Sequence, residues 1–215
     1  MEKNLKNRIL STAILIPVIV GIIYLGGIYF IITLGVAGVI MLREWITLTQ
    51  SAKNKFLWQL IGLVYIAVPC ASFAWLRGVS GFGLFLSLWL LATIWATDIG
   101  AYISGKTIGG KKLAPKISPG KTWAGAVGGT IAGIAVSSFI TYEYAGIYIF
   151  PKGVLAALYL VIIAQLGDLF ESWIKRKFGV KDSGQLIPGH GGLLDRLDSL
   201  LFVAPAAIPL YLIVG

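Results

Sequence analysis

The sequence predicts an all-α fold: a polytopic bundle of about seven transmembrane helices, with the N-terminus in the cytoplasm. The composition, the spacing of the apolar segments and the placement of the basic residues all predict it. Of the 215 residues, 57% are hydrophobic and 13% are charged, whereas about a quarter of the residues in a soluble domain are charged. Because these few charged residues cannot cover a water-exposed surface, we expect the bilayer to surround most of the chain.

Seven apolar segments approach the roughly 20 residues that a helix needs to cross the hydrocarbon core. Only a Gly-Gly turn at Gly26 and Gly27 separates the first two. Segments that face lipid must be helical, because an open sheet edge would leave backbone polar groups unpaired there. The predicted spans are residues 9–27, 28–46, 57–76, 81–103, 123–142, 153–171 and 193–214.

The basic residues alternate between the ends of these spans. With the N-terminus inside, 16 of the 18 Lys and Arg residues fall on one side, and only Arg77 and Lys152 fall on the other. Such a bias predicts a cytoplasmic N-terminus and an external C-terminus. The net charge of +9 does not indicate a nucleic-acid partner, because the basic residues lie between apolar segments and form no continuous basic face.

Small residues mark one face of the fifth segment. Gly125, Gly129 and Gly133 recur at every fourth position, which places them on one side of a helix. Small residues at that spacing let two helix backbones approach closely. The face therefore predicts either internal packing or a homodimer contact.

The placement of the nine acidic residues points to chemistry. Glu2, Glu44, Glu143 and Asp182 lie in tails, loops or span ends, where a solvated role is sufficient. The others lie at or near the predicted cytoplasmic ends of apolar segments. A carboxylate at membrane depth is costly unless it is paired or bound to a cation, so these are candidate functional residues. They are Asp98, Asp168, Glu171, Asp195 and Asp198.

Four of these acids form two pairs at a helical spacing of three, which places the members of each pair on one face. Ser172 falls on the same face as Asp168 and Glu171. Two acidic pairs that meet would repel without a cation between them, and oxygen ligands favour magnesium over zinc. Alternatively, these acids pair with Arg176, Arg196 and the lysines at the lipid interface.

The first of two polar loops, Ser104–Gly129, has the composition of a phosphate-binding loop. It interleaves Gly, Ser and Thr with five lysines and enters a helix at about Thr122. Backbone N–H groups at a helix start and nearby lysines both attract phosphate. SGKT and PGKT resemble parts of a P-loop, but the full spacing and a preceding strand are absent. Alternatively, it is an ordinary basic cytoplasmic loop whose lysines only reflect the topology.

The second loop, Ser172–Asp198, carries five basic residues, three aspartates and the only histidine. His190 is a candidate general base, phosphate donor or turn residue. The loop places the following residues at a fixed spacing: Ser172, Lys175, Arg176, Lys181, Asp182, Gly184, Pro188, His190, Gly191, Gly192, Asp195, Arg196 and Asp198. The motifs TDIGAY, ISPGKT and GDLFES lie further upstream. This pattern and these motifs resemble the phosphatidate cytidylyltransferase (CDP-diacylglycerol synthase) family.

This resemblance implies that CTP and phosphatidate react, with magnesium, to give CDP-diacylglycerol and pyrophosphate. It implies a metal centre, with one or two ions, held by Asp168 and Asp195 with Asp98 as a further ligand. Besides these two aspartates, the catalytic assignments are Lys175, Arg176, Arg196 and His190. The substrate-binding assignments are Ser118, Lys121, Thr122, Ser172, Lys181 and Asp198.

The resemblance also implies a domain division and a location. We expect N-terminal transmembrane helices over 1–80 and a catalytic transmembrane region over 81–215, with cytoplasmic loops 104–122 and 172–192. The partners would be CTP, phosphatidate and membrane lipids, with a homodimer as an option. The location would be the bacterial plasma (inner) membrane, with the active site facing the cytoplasm.

Four other functions compete with this one. A transporter would use intramembrane acids, but typically near the bilayer midplane. A related CTP-using enzyme would act on another acceptor, such as an isoprenoid-ether analogue or a polyprenol. A purely structural membrane protein would not need five acids at this depth. A CDP-alcohol phosphotransferase is disfavoured because its D-G-x-x-A-R pattern is absent.

Overall fold

The computed structural model describes residues 15–145, 150–184 and 191–214. Within these ranges, six helices are long and apolar enough to cross a membrane, and a shorter apolar helix precedes them. The predicted all-α transmembrane bundle of about seven spans is confirmed, whereas its orientation stays a prediction. The helices are α1 (Leu15–Leu25), α2 (Gly27–Leu48), α3 (Lys55–Gly78), α4 (Gly83–Thr107), α5 (Trp123–Ala145), α6 (Phe150–Lys177) and α7 (Leu194–Val214).

The break between α1 and α2 lies at the predicted Gly-Gly turn. Gly26 and Gly27 have φ angles of 63° and 51°, in the left-handed region that glycine enters without a steric penalty. Arg77, at the end of α3, donates from Nε to the Ile23 carbonyl at 2.7 Å and from Nη2 to the Tyr24 carbonyl at 3.2 Å. A cation from another helix thus satisfies the last carbonyls of α1.

Three helices extend beyond their predicted ends at one end of the bundle. α2, α4 and α6 continue to Leu48, Thr107 and Lys177, two to six residues past the predicted spans. Hydropathy marks only the part of a helix that lies in hydrocarbon, and nothing in these sequences breaks the helix as it leaves. The basic last turn of α6 is also favourable at the negative end of the helix dipole.

A β-hairpin, which the sequence did not predict, folds the first polar loop. Strands β1 (Lys112–Ala114) and β2 (Ser118–Thr122) pair antiparallel, with Lys112 opposite Thr122. Thr122 then caps α5, because its Oγ1 accepts a hydrogen bond from the Gly125 backbone N–H at 3.0 Å. The hairpin returns the loop to the start of α5, where β2 also contacts α6.

The glycine face of α5 packs within the chain, against α4. A methyl group at Gly125 would lie 2.9 Å from the Ala101 carbonyl oxygen, and one at Gly129 would lie 2.7 Å from that of Thr97. These backbones are too close for any larger residue. The structure therefore uses this face for internal packing, the first of the two predicted interpretations.

Two apolar clusters hold the helices together. The larger fills the middle of the bundle, with residues from α1, α2, α3, α4, α6 and α7. The smaller joins α2 and α3 to the region where α6 ends and α7 begins, and its centre is Trp45, which is fully buried and donates to the Trp58 carbonyl at 2.7 Å. The buried members of this smaller cluster are Met41, Trp45, Leu48, Ile66, Ile174, Leu194 and Leu201.

We expect Gly129→Ala to lower the melting temperature of the detergent-solubilised protein. The added methyl group meets backbone atoms, so α4 and α5 must separate, and overpacking of this kind costs about 1–3 kcal/mol. Gly35→Ala in α2 is the matched control, because nothing lies within 4 Å of its added methyl group. Equal melting temperatures for the two variants would contradict the close contact between α4 and α5.

Candidate active site

A cavity of about 660 Å³ opens between α4, the hairpin, α5, α6 and the start of α7. Its wall combines carboxylates, cationic side chains and hydroxyl groups from segments far apart in the sequence. Asp182, to which we assigned only a solvated role, also lies on this wall. The predicted site residues that line the cavity are Asp98, Ser118, Lys121, Thr122, Asp168, Lys175, Asp195, Arg196 and Asp198.

An ion pair crosses this cavity from β2 to α6. Nζ of Lys121 lies 2.5 Å from Oδ2 of Asp168, and the two side chains are 25% and 33% exposed. Ser172, one turn further along α6, donates to Oδ1 of Asp168 at 3.5 Å. A pair this exposed contributes little to stability. A cationic ligand can therefore compete for Asp168, and an anionic ligand can compete for Lys121.

Asp195, in the first turn of α7, is held by more donors than any other acid on the wall. Its Oδ1 accepts a hydrogen bond from Nζ of Lys175 at 2.6 Å. Its Oδ2 accepts from the Ser183 N–H and hydroxyl, both at 2.9 Å, and from the Gly192 N–H at 2.8 Å. Lys175 also donates to Oε2 of Glu171 at 3.1 Å. Asp195 therefore connects α6, the second polar loop and α7.

Behind this network, Glu171 and Asp198 bring two carboxylates together. Glu171 is 1% exposed, and its carboxyl group adjoins that of Asp198. Oε1 of Glu171 has no hydrogen-bond donor among the residues that the structure describes. Adjoining carboxylates repel unless a proton or a cation compensates their charge. Lys175 alone does not balance both carboxylates, so a shared proton or a bound cation would complete their compensation.

The predicted metal ligands Asp98, Asp168 and Asp195 share the cavity wall without forming a closed cluster. Among the described residues, no group of three or more Asp, Glu, His or Cys side chains is gathered closely enough to hold a metal ion. Their hard oxygen donors nevertheless suit magnesium, and among the described residues no donor contacts the buried Oε1 of Glu171. The donor set fits magnesium chemically, and the metal centre stays a prediction.

Three other predicted site residues, Arg176, Ser172 and Lys181, do not line the cavity. Arg176 donates from Nε to the Ile117 carbonyl and from Nη1 to the Val180 carbonyl, both at 3.1 Å, and so ties the hairpin to the end of α6. Ser172 reaches the site only through Asp168. Lys181 is exposed. His190 lies outside the described residues.

The prediction of a solvated role for Glu44 is wrong. This α2 residue accepts hydrogen bonds from the Leu193 and Leu194 N–H groups at 2.9 and 2.8 Å, beside the start of α7. Because α2 continues to Leu48, Glu44 lies a full turn inside a helix, where the rule for acids at membrane depth applies to it too. The sequence analysis also missed Gln165, a wall residue whose Nε2 donates to Oγ1 of Thr130 at 2.9 Å.

The sequence of this chain is similar to those of known proteins. The model of the cytidylyltransferase family matches residues 6–80 and 52–214. A phosphatidate cytidylyltransferase of Brucella suis biovar 1 (strain 1330) is 44% identical over 85% of this chain and 65% of its own length. One from Rickettsia bellii (strain RML369-C) is 41% identical over 95% of this chain and 89% of its own length. The chain thus spans about 65% of the length of the Brucella relative, and it belongs to the cytidylyltransferase family.

Proposed function

We propose that this protein transfers a cytidylyl group from CTP to phosphatidate, giving CDP-diacylglycerol and pyrophosphate. The observation that carries the proposal is the cavity at one end of the bundle, where carboxylates and cationic side chains share a wall at the end of apolar helices. A transporter pathway would instead place such acids near the bilayer midplane. The names of the relatives supply the substrates.

The proposed reaction needs no strong general base. A phosphatidate oxygen, already ionised at neutral pH, attacks the α-phosphorus of CTP. The bond from the α-phosphorus to the oxygen that bridges to the β-phosphorus breaks, and pyrophosphate leaves with the electron pair. The main difficulty is to bring two polyanions together, so positioned cations are the principal catalytic requirement.

The basic wall residues have roles that follow from their positions. Lys121, on β2, would exchange its contact with Asp168 for a phosphate oxygen of CTP. Arg196, on the first turn of α7, also faces the cavity and would neutralise phosphate charge. The hydroxyl of Ser118 would donate to phosphate from the hairpin. Lys175 is 13% exposed and already balances Glu171 and Asp195, so its first role would be to hold those acids.

Magnesium is the cofactor that suits this proposal. Asp168, Asp98 and Asp195 would hold it, and when bound it would neutralise phosphate charge and polarise the α-phosphate. Asp168 is the most available of the three, since a single lysine and a 3.5 Å contact from Ser172 engage it. To bind magnesium, Asp195 would have to lose at least one of the hydrogen bonds that it accepts.

The location follows from the same geometry. Most of the basic residues lie at the end of the bundle that contains the cavity, which the positive-inside rule assigns to the cytoplasm. We therefore propose a bacterial plasma-membrane enzyme whose site takes CTP from the cytoplasm and phosphatidate from the inner leaflet. A homodimer remains a prediction without a proposed contact face.

The substrate assignment is tested with purified protein in detergent micelles that contain dioleoyl phosphatidate. CTP, dCTP, ATP and GTP are compared with magnesium and with EDTA, and released pyrophosphate and the CDP-lipid product are both measured. We expect equimolar pyrophosphate and CDP-diacylglycerol from CTP, and no product in EDTA. A parallel assay with a polyprenyl phosphate tests the rival acceptor. Product from that acceptor alone would contradict the phosphatidate assignment. If neither acceptor gave a nucleotidyl product, the proposed nucleotidyltransferase activity would be refuted.

The predicted metal ligands are tested by Asp168→Asn and Asp195→Asn. Each substitution removes the negative charge but preserves the shape, and we expect kcat to fall by about 100-fold or more in folded protein. Glu143→Gln is the control, because this exposed carboxylate lies near the opposite end of α5. A variant at either aspartate that retained near-normal CDP-lipid synthesis would remove that residue from the metal site.

The proposed orientation is tested by labelling single cysteines in intact cells. Lys152→Cys and Lys116→Cys, each in a Cys70→Ser background, place a thiol on opposite sides of the predicted membrane. We expect a membrane-impermeant maleimide to label position 152 in spheroplasts and position 116 only after permeabilisation. Lys152→Ala should also leave activity within about twofold, because its side chain is far from the cavity wall. The reverse labelling pattern would overturn the orientation.

A further inference from the structure

The carboxylate of Glu44 reaches from α2 into the second polar loop. Oε1 accepts the Leu193 N–H at 2.9 Å, and Oε2 accepts the Leu194 N–H at 2.8 Å. Oε2 also lies 3.4 Å from the Ser183 hydroxyl, whose single proton has a shorter contact with Asp195 at 2.9 Å. Because α7 begins at Leu194, these backbone N–H groups belong to the start of a helix, where no intrahelical acceptor exists. Glu44 therefore caps α7 from a different helix, with a negative charge at its positive end.

The loop backbone closes around this carboxylate. A methyl group added at Gly184 would lie 2.8 Å from Oε1 of Glu44, and one at Gly192 would lie 2.7 Å from Oε2. Gly191, between the two, has a φ of 81°, which a residue with a side chain rarely adopts. Glycine at positions 184 and 192 therefore lets the chain contact the Glu44 carboxylate closely, while Gly191 provides the turn between them and α7.

The same loop holds Asp195. The Ser183 hydroxyl contacts Oε2 of Glu44 and Oδ2 of Asp195, and the Gly192 N–H also donates to Asp195. Leu194, whose N–H binds Glu44, is the residue immediately before Asp195. A shift of the Glu44 carboxylate would therefore move the first turn of α7, and Asp195 with it.

Helix α2 is well suited to act as the fixed side of this contact. Trp45, next to Glu44, is fully buried in the smaller apolar cluster and hydrogen-bonded to α3. Among the residues that line the cavity, none comes from α2. Glu44 thus lies outside the wall, on a rigid helix, and contacts the loop that carries wall residues.

We propose that Glu44 is a positioning residue for cytidylyl transfer: it anchors the start of α7 from α2 and so orients Asp195 in the cavity. The proposal rests on the proposed function for its catalytic consequence, but its structural part, the anchoring of the Leu193 and Leu194 N–H groups, stands independently. It assigns the N-terminal helices a part in the site beyond membrane insertion.

The test compares Glu44→Ala and Glu44→Gln with Glu143→Ala, which removes an exposed glutamate near the opposite end of the bundle. Glutamine keeps one acceptor oxygen, so it should preserve part of the cap, whereas alanine removes all of it. We expect kcat to fall by about 10–100-fold in Glu44→Ala, as for other residues that orient a catalytic group, and less in Glu44→Gln. The KM for CTP should stay within about twofold, and Glu143→Ala should match the wild type.

Hydrogen exchange supplies the readout that does not depend on activity. The Leu193 and Leu194 N–H groups should both exchange faster in Glu44→Ala than in Glu143→Ala, and at least one of them should exchange faster in Glu44→Gln. If the wild type made no CDP-lipid, the proposed function would fail, while faster exchange would still support the anchor. Unchanged exchange in folded Glu44→Gln would refute the anchor whatever the activity.

Two kinetic outcomes would overturn the positioning role even with faster exchange. One is a kcat in folded Glu44→Gln equal to that of the wild type. The other is a rise in KM for CTP with kcat unchanged, which would make Glu44 a binding group. If Glu44→Ala does not fold, Glu44→Gln alone decides the question, because it keeps the size of the side chain and one acceptor oxygen.

Discussion

Each carboxylate placed among apolar helices must find a donor or a cation, and this requirement organises the active end of the bundle. A buried ionised group without a partner costs more than most other single interactions contribute. Lys175 meets the requirement for Glu171 and Asp195 at once, while 13% exposed. The polar loop supplies three further donors to Asp195. The junction of α6, the loop and α7 is therefore a single electrostatic unit, in which Oε1 of Glu171 alone among the described carboxylate oxygens is both buried and without a donor from the described residues.

Close backbone packing brings the remaining wall residues to that unit. The glycines of α5 let it approach α4, which carries Asp98, and Thr122 begins α5 directly after the hairpin. Lys121, at the end of β2, then reaches Asp168 on α6. The close contact of the α5 glycines with α4 thus determines how far Asp98 lies from the groups that would bind phosphate. Such an arrangement suits a reaction between one soluble and one lipid-bound polyanion, because the cations are in position before either arrives.

The sequence led to much of the site because the cost of burying charge can be read from hydropathy alone. It identified Asp168, Asp195 and Asp198 as acids that need a partner or a cation because they lie near apolar segments. All three line the cavity. The same reasoning failed for Glu44 because the predicted span ended two residues after it, which made solvation sufficient. It could not find the hairpin, because strands of three and five residues leave no clear period in a loop rich in glycine and lysine.

By itself, the sequence determined the helical class, the approximate spans and the residues whose charge needs compensation, because these depend on composition and local order. Only the tertiary structure decided which partner compensates which charge. Arg176, predicted to be catalytic, donates to two backbone carbonyls, and Glu44, predicted to be solvated, caps a helix some 150 residues away. Both sets of contacts join segments that are distant in the chain and adjacent in space. Because a hydrogen bond forms only over a short distance, these contacts depend on how the helices pack.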